Sequence, residues 1–223
     1  TSECHNPDVI RSLEQPLYRD GSLAVLHGNL SPNGAVMKTS AASPHLLQHT
    51  GRAVVFERYE EMLQKIDDPA LDVDENCVLV LKNGGPVGGP GMPEWGQIPI
   101  PSKLLKRGIT DMVRISDSRM SGTSYGTVVL HISPESATGG PLAIVRNGDS
   151  VKLDVEKRRL DLLVSDAELR NRMEAWCPAH KKYRRGYYTM FLDHILQADK
   201  GCDFDFLVGQ SGDEPYEPIV GRS

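Results

Sequence analysis

The chain has 223 residues, 39% apolar and 25% charged, with a net charge of −5 and a pI near 5.8. That length can bury a core without disulfide or metal staples, and the acidic balance argues against a binder of nucleic-acid phosphates, which needs a basic face. No apolar run reaches the length of a membrane span, and the start Thr1-Ser2-Glu3-Cys4 lacks the basic and apolar regions of a signal peptide, so the sequence reads as intracellular, cytoplasmic in the first instance and mitochondrial in the second.

Residues 1–20 read as a lead-in with a helix-compatible piece, Asp8–Leu13, closed by Pro16 and the turn Asp20-Gly21. Leu23–Leu26 and Gly34–Lys38 are short apolar runs separated by Asn29, Pro32 and Asn33, which is strand-turn-strand chemistry. Ala53–Phe56 is a further strand, Tyr59–Ile66 has apolar residues at helical spacing, and Cys77–Lys82 is a buried strand. A helix begins near Pro101 and stops at Gly108; Met112–Ile115 and Thr127–Ile132 are strands. Leu142–Val145 and Val151–Val155 are expected to form a hairpin through Asn147-Gly148, and Ser165 with Glu168 marks a helix start. The last helix is expected over Tyr187–Ala198, before the domain ends near residue 207 and a mobile acidic tail occupies 208–223. Many short strands with a few helices give an α+β domain, β-rich and barrel-like, over residues 21–207.

Two loops after buried strands can carry chemistry. Residues 83–96 hold six glycines and three prolines in fourteen positions, a path that allows close backbone approach yet is stiff. It has neither of the common phosphate-binding glycine patterns. Glu94, the one ionisable side chain between Lys82 and Lys103, is either an exposed loop acid or a hard oxygen ligand of Mg²⁺. The second loop, Ser116 to Gly126, is dense in hydroxyls and includes Asp117 and Arg119. Its Ser121 can serve as nucleophile or base, or simply cap a turn through a backbone amide. Cys4, Cys77, Cys177 and Cys202 stand singly, as reduced thiols do, and no histidine lies in a zinc-binding pattern. The basic run His180–Arg185 reads as a solvated face.

From about Asp20 to Phe206 the chain resembles the dihydroxy-acid and 6-phosphogluconate dehydratase family. The resemblance is carried by Leu23-Ala-Val-Leu-His-Gly-Asn-Leu30, Pro32-Asn-Gly-Ala-Val36, Gly88-Gly-Pro-Gly-Met-Pro-Glu94, Arg119-Met-Ser-Gly122, His131-Ile-Ser-Pro-Glu135 and Gly148-Asp149. Glu94-Trp95-Gly96, Ile115 to Gly126 and Gly201-Cys-Asp-Phe-Asp-Phe206 are similar to the sugar-acid branch, which includes arabinonate and xylonate dehydratases. The branched-chain dihydroxy-acid branch more typically has phenylalanine in place of Met120 and a second glycine in place of Thr123. The resemblance implies a swivelling β/β/α domain, a β-barrel-like core with flanking helices. It implies loss of the C3 hydroxyl and C2 proton of a 2,3-dihydroxy acid to give a 2-keto acid, with Ser121 as base, Glu94 as a Mg²⁺ ligand and Thr123 and Tyr125 against substrate. It also implies an iron–sulfur cluster as Lewis acid, an N-terminal dehydratase domain that carries the cluster cysteines and the remaining metal ligands, and a homo-oligomer. No segment of this sequence matches that domain. The alternatives are a branched-chain dihydroxy-acid dehydratase domain and a stand-alone binding or assembly module. The isolated chain is expected to fold but to make no 2-keto acid from aldonic acids, which an assay of the purified chain checks; turnover above contamination would contradict it.

Overall fold

The computed structural model describes residues 4–19, 21–178 and 183–209. Its strands are β1 (Leu23–Leu26), β2 (Gly34–Lys38), β3 (Gln48–Phe56), β4 (Val78–Leu81), β5 (Arg114–Ser116), β6 (Val128–Ser133), β7 (Ser150–Asp154) and β8 (Arg159–Leu162). Its helices are α1 (Tyr59–Lys65), α2 (Ser102–Leu105), α3 (Asp166–Glu174) and α4 (Tyr187–His194).

Side chains alternate across a strand, and in the middle strands the two faces meet different interiors. Ala53, Val55, Val78 and Val80 point into one core, to which all eight strands contribute; Val54, Phe56, Leu79 and Leu81 point into a second, shared with Met62 and Ile66 of the α1 region and Leu104 of α2. Apolar burial on both faces is why β4 is a continuous run of aliphatic residues. The strand order is β1-β2-β6-β5-β4-β3-β7-β8. The stretch β3-β4-β5-β6 is parallel and both flanks are antiparallel.

The sheet curls until its two edges meet. His27 N–H donates to Arg158 O at 2.9 Å and Leu160 N–H to His27 O at 3.0 Å. Asn29 extends the seam with its side chain, donating to Leu162 O at 2.9 Å and accepting from Leu162 N at 2.6 Å. The result is a nearly closed, barrel-like α+β fold, as the sequence led us to expect. In α3 the Ser165 hydroxyl accepts from Glu168 N at 3.2 Å, the cap read from the sequence.

Three expectations need correction. Residues 141–144 form a 3₁₀ turn with Pro141 at its start, not a strand. The following Asn147-Gly148 turn packs on β3, where Asn147 Oδ1 accepts from Val55 N at 2.7 Å and Gly148 N donates to Ala53 O at 3.0 Å. The hairpin of this region is instead β7 with β8, and β7 also pairs β3. The last helix stops at His194, because Ile195 is extended and bridges to Phe204. Residues 8–13 form turns rather than a helix. Part of the basic run (180–182) and most of the tail (210–223) lie outside the described residues. Asn29→Ala leaves both peptide groups of Leu162 without partners and is expected to cost about 1–3 kcal/mol, read as a lower urea midpoint at unchanged slope.

Candidate functional site

Because β4, β5 and β6 are parallel neighbours, the loops that leave their C-terminal ends emerge side by side. Those loops are the glycine-rich segment 83–101, the hydroxyl-rich segment 117–127 and the turn 134–140. In sheets with parallel strands, that edge is where ligands are commonly bound.

Asp117 ties the three together. It is fully buried; Oδ1 accepts from Gly84 N at 2.9 Å, and Oδ2 accepts from Ser136 N at 2.8 Å and from the Ser136 hydroxyl. Glu135 is 1% exposed and accepts from Val87 N and Gly88 N, each at 2.8 Å. Among the described residues neither carboxylate meets a Lys or Arg in an ion pair. Burial, and for Glu135 also the charge of Asp117, raises both acids, Glu135 to about 7.

The glycine-rich and hydroxyl-rich loops are zipped along their length. Gly96 N donates to Arg119 O at 2.7 Å, Ser118 Oγ to Pro93 O at 3.3 Å, Arg119 Nε to Met92 O and Gln97 Nε2 to Tyr125 O at 3.3 Å. Gly96 admits this approach, since a Cβ there would lie 2.3 Å from Leu130 Cδ2 and 2.8 Å from Arg119 O. Trp95 stacks on Tyr59 with ring centroids 5.0 Å apart, pinning the loop to the helical layer. Lower down, Arg114 pairs with Asp111 at 3.1 Å and donates to Ile98 O at 3.0 Å. Burial alone would raise Asp111, but bonds from Thr127 and Ser43 outweigh it and hold the acid below its ordinary value.

This frame leaves Glu94, Thr123 and Tyr125 exposed and Ser121 half-buried on one rim. Glu94 is 48% exposed and lies 3.6 Å from Arg119. Ser121, two positions beyond Arg119, is half-buried; its Oγ is 3.0 Å from Thr123 Oγ1 and 3.5 Å from Thr123 N, which is the turn-capping geometry. Lys38 Nζ donates to Gly122 O at 2.9 Å, bringing an ammonium to the same turn. Thr123 and Tyr125 are exposed, Tyr125 to 68%. Thus the loop that carries Ser121 is tied to the loop that carries Glu94 through the Arg119–Glu94 pair, a link that sequence reading missed. It also gave no role to Asp117, Glu135, Gln197 or Lys38; the signal available was that Glu135 closes the quoted His131–Glu135 stretch.

Glu94 supplies one hard oxygen, whereas Mg²⁺ takes about six ligands. Among the described residues no three His, Cys, Asp or Glu side chains gather so as to hold a metal ion. One ligand of a shared site fits Glu94; a full set does not. The four cysteines are free and Cys77 is buried, so they do not fit an iron–sulfur cluster. No described helix is long and apolar enough to cross a membrane.

Fold and site together define a barrel-like α+β domain that presents a hydroxyl, a carboxylate and a guanidinium on one exposed rim. The profile of the Dihydroxy-acid/6-phosphogluconate dehydratase C-terminal family matches residues 8–202. The chain is 57% identical over 207 residues to an L-arabinonate dehydratase of Rhizobium leguminosarum bv. trifolii, covering 93% of this chain and 36% of that protein. It is 53% identical over 220 residues to a 6-deoxy-6-sulfo-D-gluconate dehydratase of Pseudomonas putida, covering 97% and 38%. A dihydroxy-acid dehydratase of Ignicoccus hospitalis is 42% identical over 200 residues, covering 89% and 36%. The chain belongs to the dihydroxy-acid/6-phosphogluconate dehydratase C-terminal family, and it spans little more than a third of the length of these relatives.

Glu135 has a folded value of about 7 against 4.5 for the free side chain, so the folded protein keeps a proton that the unfolded chain releases. Its contribution is whole below about pH 4.5 and is lost as pH rises through about 7, on the order of 3 kcal/mol. Asp111 and Asp149, held low, finish titrating below that window. Asp117, also raised, adds to this fall and His131, held low by burial, opposes it, so urea unfolding is read as a difference: from about pH 5 to about pH 8 the wild type is expected to lose more stability than Glu135→Gln.

Proposed function

We propose that this domain is the C-terminal part of a sugar-acid dehydratase that converts a 2,3-dihydroxy sugar acid to its 2-keto-3-deoxy acid. The observation that carries the reading is the placement of Ser121 and Glu94 on two adjacent loops that are zipped together, with Arg119, two positions before Ser121, paired to Glu94 at 3.6 Å. The higher identity to an arabinonate and a sulfogluconate dehydratase than to a dihydroxy-acid dehydratase supports the sugar-acid branch over the branched-chain one.

Ser121 acts as the base. Its hydroxyl can receive hydrogen bonds from Thr123 N–H and Thr123 O–H, and the Lys38 ammonium in the same turn favours negative charge there. As an alkoxide it takes the C2 proton; the C2 electrons form the enol double bond as the C3–O bond breaks, and the departing hydroxide takes a proton equivalent to the one Ser121 gained, leaving as water and restoring the alkoxide. The enol then tautomerises to the ketone. Thr123 and Tyr125, exposed beside Ser121, contact and orient the acid. Glu94 is one ligand of Mg²⁺, which when bound stabilises charge on the substrate carboxylate and C2 oxygen.

The remaining metal ligands and the iron–sulfur cluster belong to an N-terminal dehydratase domain, the partner that closes over this rim, in a homo-oligomer of the cytoplasm. The domain alone is inactive. In the complete dehydratase, Ser121→Ala is expected to lower kcat about 10²–10⁴-fold with Mg²⁺ and cluster retained, measured as 2-keto acid formed from a panel of aldonic acids. Near-normal turnover would remove Ser121 as base.

A further inference from the structure

Residues 83–101 contain no strand or helix, so side chains and cross-loop bonds hold their backbone in place of a ladder. Glu135 supplies the middle of that support. Its Oε1 accepts from Val87 N at 2.8 Å and from Gln197 Nε2 at 2.7 Å, and its Oε2 accepts from Gly88 N at 2.8 Å. Gln197 grips the same residue from the other side, where its Oε1 accepts from Glu135 N at 2.8 Å. A Cβ on Gly85 would lie 2.6 Å from Glu135 Oε2, so the loop runs directly against the carboxylate. Two successive backbone N–H groups on one carboxylate form the concave anion seat that peptide chains make for ligands, here filled by the protein itself.

A carboxylate taken out of water costs several kcal/mol unless it is well hydrogen-bonded, and this one faces a second buried acid, Asp117. An apolar side chain of similar size would fill the space without that cost, but it would leave Val87 N–H and Gly88 N–H without partners and the loop free to shift. Six residues beyond Gly88 the same loop delivers Glu94.

We propose that Glu135, clamped by Gln197, is a positioning residue that fixes the path of the glycine-rich loop and so sets where Glu94 meets Mg²⁺. The inference rests on the reading of Glu94 given above. It also joins the segment after α4 to the site, because Gln197 comes from that segment while Val87 and Gly88 follow β4.

Amide hydrogen exchange on this chain at about pH 8, where Glu135 is ionised, tests the support directly. Glu135→Gln replaces one acceptor oxygen by an NH₂ group that faces N–H donors, and Gln197→Ala removes the clamp with less risk to folding. Both are expected to speed exchange at 84–96 by about tenfold or more while Val80 and Ile115 in the barrel are unchanged. In the complete dehydratase the same variants should raise the Mg²⁺ concentration for half-maximal turnover by about 10–100-fold with little change in sugar-acid KM, and Glu135→Asp should recover part of the loss. Unchanged loop exchange in Gln197→Ala, equal acceleration of loop and barrel, or an unaltered Mg²⁺ requirement would each overturn the proposal. Normal turnover of Glu94→Gln would overturn the reading of Glu94 and the metal half of this inference, while loop exchange would still decide whether Glu135 holds the loop.

Discussion

The site depends on two carboxylates that are buried, among the described residues without cationic partners, and spend their oxygens on backbone amides of neighbouring loops. Asp117 binds Gly84 and Ser136; Glu135 binds Val87, Gly88 and Gln197. Each acid therefore spans chain segments that leave different strands, and together they organise the edge at which three parallel strands end. They add buried anchors to loops that are otherwise held by the bonds between residues 92–97 and 118–125 and by the Trp95–Tyr59 stack. Burying the acids costs stability, and the pull of both toward the protonated form is the trace of that cost.

The consequence is a division of labour between the inside and the outside of one rim. The inner ends of the loops are fixed by buried charge and by the Arg114–Asp111 pair, while their outer parts carry Glu94, Arg119, Ser121, Thr123 and Tyr125 into solvent. A hydroxyl and a carboxylate so displayed cannot exclude water by themselves, and exclusion of water strengthens the electrostatics on which proton abstraction beside a carboxylate relies. In the proposed reading a second domain closes this rim; the chain itself spans little more than a third of its relatives.

Much of the fold was legible because its signals are local. Leu23–Leu26, Gly34–Lys38 and Cys77–Lys82 are apolar runs bounded by turn residues, and Ser165 caps a helix as its spacing to Glu168 requires. The misread hairpin shows where locality ends: Asn147-Gly148 does mark a turn, with Gly148 at a φ of +87°, but nothing in the dipeptide says that Asn147 will bond to Val55 rather than close a strand pair. The site follows the same rule. Ser121 and Glu94 stand out as motif residues, and local chemistry left Ser121 between a turn cap, a nucleophile and a base; its hydroxyl, half-buried, has the geometry of the first. The His131–Glu135 stretch marks Glu135 but not its part, because its partners lie 48 positions before it and 62 after it, and only the packed barrel brings them together.

The central claim is that this rim is one half of a reaction site whose other half is carried by a second domain. The most direct measurement is a structure of the complete dehydratase with Mg²⁺ and a sugar acid bound. The account expects Ser121 Oγ about 3–3.5 Å from C2 of the acid, a Glu94 oxygen about 2.0–2.1 Å from Mg²⁺, and Val87 N–H and Gly88 N–H still on Glu135. An acid bound away from this rim, with Ser121 and Glu94 facing solvent, would contradict it.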